Sequence, residues 1–359
     1  MQIESSRMTH VLSNLRPFVL PLTLILMVCA VLLAFDRGGD ASSAGIQRVA
    51  IVQHVSQGAI DAGVKGMRDA LASEGFVDGK NIRLTMYNAQ GDLPTANDIA
   101  RKVTDGSSDL VITASTLSMQ IVANVNRQSK IRHVFGIVSD AASAQIGVGA
   151  EPLDHPPWLT GYTSLASVPN ALKLARELNP GLRRVGLIWH TSELSSQIYT
   201  RETRKACAQM GIELLEANAE NPTEVGQAAQ ALVARGIDAF LITGDVVVLV
   251  AADSVIKAAR AGRIPVLTVI PPTVRKGTLF DLGLDYEQVG RNVGVLAAKV
   301  LSGTSPATLP IINLAPETFY LNLTALEGLR DRWQVSDAIK ARAVLVIDKD
   351  GEHLKAAAR

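Results

Sequence analysis

Polar side chains recur at one kind of position in this chain, the junction where an apolar run of β type ends and an amphipathic helical stretch begins. The residues near these junctions that could contact a ligand are Asp61, Ser115, Thr116, Asp140, Trp189, Ser195, Ser196 and Asp245. Hydroxyls and helix N-terminal amides can donate hydrogen bonds to a carboxylate, and an aspartate can accept them from an ammonium group. Because an unpaired buried charge costs several kcal/mol, this combination suits a zwitterion such as an amino acid.

The same residues also have purely structural explanations, which the sequence leaves open. Serine and threonine at a strand-to-helix junction are favoured as N-caps by about 1 kcal/mol, whether or not a ligand binds. Asp61 suits the first turn of a helix because of the helix dipole, and Trp189 suits either ligand stacking or packing between lobes. Asp245 has the strongest case as a ligand contact, because no lysine or arginine lies close to it in the sequence.

The alternation of strand-like and helical stretches predicts the elements that position these residues. It is typical of an α/β fold with doubly wound parallel sheets, in which ligands bind beyond the carboxyl ends of the strands. The chain has 359 residues. Since a single core stops growing at about 250–300 residues, we expect two lobes that can close over a cleft about a hinge.

Proline-rich stretches at residues 151–158, 271–272 and 306–316 mark the predicted crossings between the lobes. Residues 1–45 are predicted to be a cytoplasmic stub, an apolar segment and a linker. Lobe 1 is predicted to comprise residues 46–158 and about 272–310, and lobe 2 to comprise residues 159–271 and about 311–359. Each lobe is therefore expected to be assembled from discontinuous pieces, joined by a multi-crossing hinge.

Composition and missing motifs exclude several classes of function. The net charge is +1 and aromatic residues make up 4% of the chain, so a nucleic-acid partner is not expected. The sequence contains no dinucleotide-binding glycine motif, phosphate-binding loop, paired metal-ligand motif or serine-nucleophile motif. Single histidines such as His54 are interpreted as surface or hydrogen-bonded residues. We therefore expect no cofactor, no metal and no enzymatic activity.

The first forty residues indicate export. An apolar run at residues 17–35 follows Arg7 and Arg16 and is long enough to cross about 30 Å of hydrocarbon. It is either a secretory signal cleaved near residues 41–44 or an uncleaved anchor in the inner membrane. Lipidation at Cys29 is less favoured, because Val28 precedes it where a small residue is needed. The remainder is expected outside the cytoplasm, secreted or anchored, as a monomer with the single cysteine Cys207.

Several segments together carry a family resemblance. The stretch AIDAGVKGMRDALASEGFVDGKNIRLTMYNAQGD, with DLVITAST, VFGIVSD, GLIWHTSELSS and VRKGTLFDLGLDYEQVGR, resembles the tryptophan-binding-like substrate-binding proteins of ABC importers. The similarity runs from about Arg48 to about Asp348. It implies the type I periplasmic-binding-protein fold and a small amino-acid-like ligand, aromatic or branched, that is delivered to ABC permease subunits.

Individual site residues match the family motifs with departures. Thr116 matches the family threonine, with Leu117 in place of a proline, and Asp140 matches an aspartate that a proline usually follows. Ser196 matches the family serine, while Ser195 replaces an asparagine. Asp245 matches the acidic residue after a strand of lobe 2, and the resemblance implies that it pairs with an ammonium group.

Two functional hypotheses remain at this point. The first is an extracytoplasmic solute-binding protein of an ABC importer. The alternative is a membrane-tethered sensor module of the same fold, which an uncleaved segment at residues 17–35 would favour.

Overall fold

The computed structural model describes residues 45–355 and residue 27. The predicted export segment, apart from residue 27, and the predicted linker up to residue 44 lie outside the described residues. The chain divides into two compact units, Met1–Ile46 and Gln47–Arg359, and all elements named below belong to the second. Within the described ranges, no helix is both long enough and apolar enough to span a membrane.

The strands and helices alternate through most of the second unit, as the sequence pattern predicts. The strands are β1 Gln47–Gln53, β2 Ile82–Asn88, β3 Leu110–Ala114, β4 Arg132–Val138, β5 Leu159–Thr163, β6 Arg184–Trp189, β7 Glu213–Asn218, β8 Ala239–Ile242, β9 Val266–Thr268, β10 Phe280–Leu284, β11 Ile312–Asn313, β12 Glu317–Asn322, β13 Leu345–Asp348 and β14 Gly351–Leu354. The α-helices are α1 Gly58–Ser73, α2 Leu93–Val103, α3 Thr116–Ser129, α4 Val168–Leu178, α5 Leu194–Met210, α6 Val225–Ala234, α7 Val246–Val250, α8 Ala252–Gly262, α9 Tyr286–Leu301 and α10 Asp337–Arg342.

Two sheets organise these elements. The first has the order β11-β5-β4-β3-β1-β2, and all its pairs are parallel. The second has the order β14-β13-β12-β10-β9-β8-β6-β7 and is parallel except at β10–β12 and β13–β14. We call the first sheet with α1–α3 and α9 lobe 1, and the second sheet with the remaining helices lobe 2. This is the type I periplasmic-binding-protein fold that the family resemblance implies.

Apolar runs explain why the central strands lie inside. All residues of β3 and β8 are buried, as expected for parallel strands that helices cover on both faces. The core of lobe 1 includes Ile51 and Ile112 of the sheet and Met67 of α1, all fully buried. Lobe 2 has its own cluster around Phe240 and Phe280. Both sheets therefore have rigid centres, and their carboxyl ends can hold side chains in fixed positions.

The chain passes between the sheets at residues 164–167, at Asp285 and at residues 314–316. The sheets differ from the predicted lobe boundaries at three strands. β11 pairs with β5 within the first sheet although residues 312–313 were expected in lobe 2. β5 pairs within the first sheet although residues 159–163 were expected in lobe 2, and β10 pairs within the second sheet although it was expected in lobe 1.

Local contacts explain the differences at β5 and β10. The proline-rich stretch before β5 stays in lobe 1, where the carbonyl of Trp158 accepts a hydrogen bond from the amide of His133 and the two rings stack. The loop after Pro272 stays in lobe 2, because the amides of Thr273 and Val274 donate to Asp281 of β10. Proline marks a turn, but it does not determine which sheet the next strand joins.

Candidate ligand-binding site

A cavity lies where the carboxyl ends of strands from both sheets meet. It encloses about 530 Å³ of space free of atoms, part of it open to solvent. Its lining residues are His54, Gln57, Ala59, Ile60, Ser115, Thr116, Leu117, Ile137, Ser139, Ser164, Glu193, Ser195, Tyr199, Gly244, Val246, Leu249, Ile270 and Tyr286. Three of the predicted site residues are among them, namely Ser115, Thr116 and Ser195.

The N-terminus of α3 forms one wall of the cavity. Ser115 caps this helix, and its hydroxyl accepts a hydrogen bond from the amide of Ser118 at 3.2 Å. The amides of Thr116 and Leu117 donate to no acceptor in the described part of the chain. Free amides at a helix N-terminus, where the helix dipole adds positive potential, favour an anionic group. This wall can therefore hold a carboxylate.

Two serines join the lobes across the cavity. The hydroxyls of Ser139, which follows β4, and Ser195, in the first turn of α5, lie 2.7 Å apart. Ser195 donates its proton to the carbonyl of Gly244 at 2.7 Å, so Ser139 is the donor in the contact between the lobes. The structure is therefore a closed form, in which lobe 1 and lobe 2 are hydrogen-bonded to each other beside the cavity.

Glu193 supplies a carboxylate to the same cavity, and the sequence analysis missed it. Its Oε2 accepts a hydrogen bond from the amide of Val246 at 3.0 Å, while Oε1 has no partner among the described residues. Burial, together with the nearby charge of Asp245, raises the pKa of the Glu193 carboxyl well above its usual value. A cation beside Glu193 would offset both effects.

A signal for Glu193 was present in the segment HTSELSS. Glu193 stands at the N-cap position of α5, yet its side chain does not cap the helix. The adjacent serines are typical helix caps, so the sequence pattern pointed to them and not to the acidic residue that precedes them.

Asp245 lies behind the cavity wall rather than in it, which corrects the expectation that it faces the ligand. Its Oδ2 accepts from the amide of His190 at 2.7 Å and from the hydroxyl of Ser196 at 2.6 Å, and its Oδ1 accepts from the amide of Val248 at 2.8 Å. It is fully buried, and that burial raises its pKa. The Asp245 carboxylate caps α7 and also accepts a hydrogen bond from the loop that carries Glu193. Asp245 and Ser196 thus hold this loop in place.

Three other predicted residues also lie outside the cavity lining. Asp61 accepts a hydrogen bond from Nε2 of Gln53 at 3.0 Å on the surface of α1. Asp140 accepts from the amide of Ala142 at 3.0 Å and so caps the short turn that follows it. The Trp189 ring packs under the Arg204 guanidinium, 5.2 Å from it. Each of these side chains has a local structural partner.

Other lining residues were not predicted as ligand contacts. The hydroxyl of Tyr199 accepts from the amide of Ala166 at 3.0 Å, and burial raises the pKa of Tyr199 to about 12. Burial, together with the neighbouring Tyr199, also raises the pKa of Tyr286. His54 directly follows β1, the same type of position as the predicted residues, but it was interpreted as a surface or hydrogen-bonded histidine. In residues 45–355 no cluster of three or more potential metal ligands occurs.

Comparison with known proteins gives one family and several relatives. The family model described as ABC transporter substrate binding protein matches residues 48–347. A tyrosine-binding protein from Clostridioides difficile (strain R20291) is 30% identical over 295 residues, covering 82% of this chain and 84% of the relative.

Solved structures share the fold over most of the chain. A conserved domain protein from Vibrio cholerae has 27% identity and a TM-score of 0.79, covering 84% of this chain and 99% of that one. An ABC domain in complex with L-Trp from Streptococcus pneumonia has 19% identity and a TM-score of 0.78, with 84% and 100% covered. The ligand-free, open structure of a substrate binding protein with adhesive properties from Clostridium difficile has 29% identity and a TM-score of 0.62, with 82% and 98% covered.

Proposed function

The chain belongs to the family of ABC transporter substrate-binding proteins, and from that membership we propose that it captures an α-amino acid between its lobes and delivers it to an ABC permease. The relative from Clostridioides difficile, whose name describes tyrosine binding, supports an amino acid as the ligand. The observation that carries the proposal is the pair of opposite partners in one cavity, namely the Glu193 carboxylate and the free amides of α3.

These partners fit the two charges of a zwitterion. The carboxylate of the ligand accepts hydrogen bonds from the amides of Thr116 and Leu117, which have no other acceptor among the described residues. Its ammonium group pairs with Glu193, whose Oε1 has no partner in the described residues. A ligand without a positive charge would leave Glu193 desolvated and unpaired, which is costly in a cavity of low polarity.

The closed arrangement supports capture between lobes. The bond of 2.7 Å between Ser139 and Ser195 and the ligand contacts proposed on both lobes would act together. A ligand that touches both lobes binds the closed form better than the open form, and so shifts the population toward closure.

We propose that the protein works outside the cytoplasm, secreted or anchored by residues 17–35. The length of that apolar run favours an anchor and so keeps the tethered sensor as a second candidate. N-terminal sequencing of the mature protein distinguishes the two, because only cleavage near residues 41–44 releases the protein from the membrane.

Calorimetric titration of the purified protein with each proteinogenic L-amino acid tests the ligand class. We expect at least one to bind, and Glu193→Gln to weaken that binding by tenfold or more, since it removes the charge that pairs with the ammonium group. Asp140→Asn is the matched control, because Asp140 is an aspartate outside the cavity lining, and it should leave affinity unchanged.

A deamino analogue of the bound amino acid completes the experiment. The analogue lacks the ammonium group. It should therefore bind the wild-type protein no more tightly than the parent amino acid binds the Glu193→Gln variant. No binding across the whole panel would refute the amino-acid proposal, and full affinity in Glu193→Gln would refute the role of Glu193.

A further inference from the structure

His54 is a buried polar residue in the cavity wall that the zwitterion contacts do not use. Its side chain is 7% exposed, and its Nδ1 is buried without a hydrogen-bond partner. Its Nε2 also makes no hydrogen bond to any described residue. A neutral imidazole always carries one N–H donor and one acceptor nitrogen, and leaving a buried donor or acceptor unpaired costs about 1–3 kcal/mol.

The position of His54 in the sheet places it beside the proposed carboxylate site. β1 pairs with β3 so that Gln53 lies level with Ala114, and His54 and Ser115 therefore follow at the same sheet edge. The lining of the same cavity also includes the apolar side chains of Ile60, Leu249 and Ile270. A ligand held at α3 by its carboxylate can therefore extend an apolar side chain along this wall to the imidazole.

We propose that His54 determines specificity by hydrogen-bonding a polar group at the end of an otherwise apolar ligand side chain. This inference rests on the proposed function and narrows its ligand to amino acids whose side chain has an apolar body and a hydrogen-bonding tip, such as a phenol or an indole. Burial lowers the pKa of His54, so the ring is neutral and both donates and accepts. Because Nδ1 is buried, the ligand group pairs with Nε2: a phenolic hydroxyl can donate to it or accept from it, and an indole N–H can donate to it.

Matched ligand pairs measure this contact directly. The pairs are tyrosine with phenylalanine, and tryptophan with benzothienylalanine, in which sulfur replaces the indole N–H. In at least one pair, the polar ligand should bind the wild-type protein on the order of 10- to 100-fold tighter than the apolar ligand, because the apolar ligand leaves the imidazole without a hydrogen bond.

Two substitutions at His54 separate hydrogen bonding from shape. His54→Leu should weaken binding of the polar ligand and leave binding of the apolar ligand unchanged or tighter. The ratio of their affinities, polar to apolar, should then fall below about threefold. His54→Gln, which keeps a donor and an acceptor, should retain part of the ratio. This opposite response of two ligands in one variant cannot result from partial unfolding, which would weaken both.

Ser164 provides the competing assignment, because its buried hydroxyl also lines the cavity and has no partner among the described residues. If Ser164→Ala removes the preference for the polar ligand and His54→Leu keeps it, the polar tip of the ligand lies at Ser164 and the proposal is wrong. Equal binding of both members of each pair by the wild-type protein, or equal losses in His54→Leu, would also overturn it. If amino acids bind without such discrimination, only this inference fails; if none binds, the proposed function fails as well.

Discussion

At the scale of single residues, two carboxylates close to each other have different environments. Asp245 accepts three hydrogen bonds and lies behind the wall, whereas Glu193 accepts one and lies in the wall. The charge of Asp245 contributes to the raised pKa of Glu193, so the buried aspartate affects the ligand site even without touching the ligand. The cavity thus has one carboxylate available to a ligand, that of Glu193. The Asp245 carboxylate lies behind the wall and holds the loop that carries Glu193.

Asp245→Asn separates these roles. An asparagine amide group cannot accept the bonds from the His190 amide and the Ser196 hydroxyl while Val248 is also satisfied, so we expect the free energy of unfolding to fall by about 2 kcal/mol. Affinity for the ligand should change less than in Glu193→Gln. Urea unfolding and calorimetry of both variants provide the comparison. Lost binding with unchanged stability would show that Asp245 contacts the ligand after all.

Ligand affinity should depend on pH through Glu193. The empty site holds a carboxyl whose pKa is raised by burial and by Asp245, and a bound ammonium group requires the ionised form. Affinity is therefore fully present above that raised pKa and falls as pH drops through it, by up to tenfold for each pH unit. His190 contacts the same loop, since its Nδ1 accepts a hydrogen bond from the Glu193 amide at 3.0 Å.

Titrations from pH 8 to pH 4 check this dependence. Glu193→Gln should remove the dependence of affinity on pH over this range, because it removes the carboxyl whose pKa is raised. A wild-type profile without a decrease at low pH would contradict an ionised Glu193 as the ammonium partner.

At the scale of elements, the contact between α1 and α9 shows how closely lobe 1 is packed. A Cβ on Gly290 of α9 would lie 1.9 Å from the carbonyl oxygen of Gly63 in α1, and a Cβ on Gly66 would lie 2.1 Å from that of Glu287. Backbone atoms cannot move aside as a flexible side chain can. Because α1 begins just after His54 and α9 begins with Tyr286, this packing also sets the position of two cavity residues.

Gly290→Ala should therefore separate the two helices and lower the free energy of unfolding by about 2–3 kcal/mol. Gly226→Ala in α6 is the control, because the nearest atom to its Cβ would be Ser254 Cβ at 3.6 Å, an ordinary contact. Alanine is favoured over glycine in a helix, so the control should be neutral or up to about 1 kcal/mol more stable. Equal effects of the two substitutions in chemical denaturation would refute the close-packing explanation.

The sequence predicted the elements better than the directions of individual side chains. Continuous apolar runs such as β3 identify buried parallel strands, and the strand-end rule selects Ser115 and Thr116, which line the cavity. The same rule could not show that Asp245 turns back to cap α7 while Glu193 lies in the cavity wall. Both are acidic residues near a helix start, and only tertiary contacts with the neighbouring loop distinguish them.

At the scale of the whole molecule, three crossings join the lobes, which also meet through contacts across the cleft such as the bond between Ser139 and Ser195. Hinge motion about the crossings would open the cavity and break that bond, so ligand exchange should require separation of these two hydroxyls. A covalent link between the same positions would hold the closed form.

The double variant Ser139→Cys, Ser195→Cys tests this requirement, because side-chain atoms 2.7 Å apart lie close enough for cysteines there to approach bonding distance. When oxidised with ligand bound, it should release the ligand at least tenfold more slowly than the wild-type protein, and a reductant should restore the rate. The two single variants control for loss of the serine hydroxyls, and buried Cys207 stays in place in all of them. Stopped-flow displacement measures the rates. If the disulfide forms and the ligand still leaves at the wild-type rate, the lobes need not separate for exchange, and capture by closure would have to be abandoned.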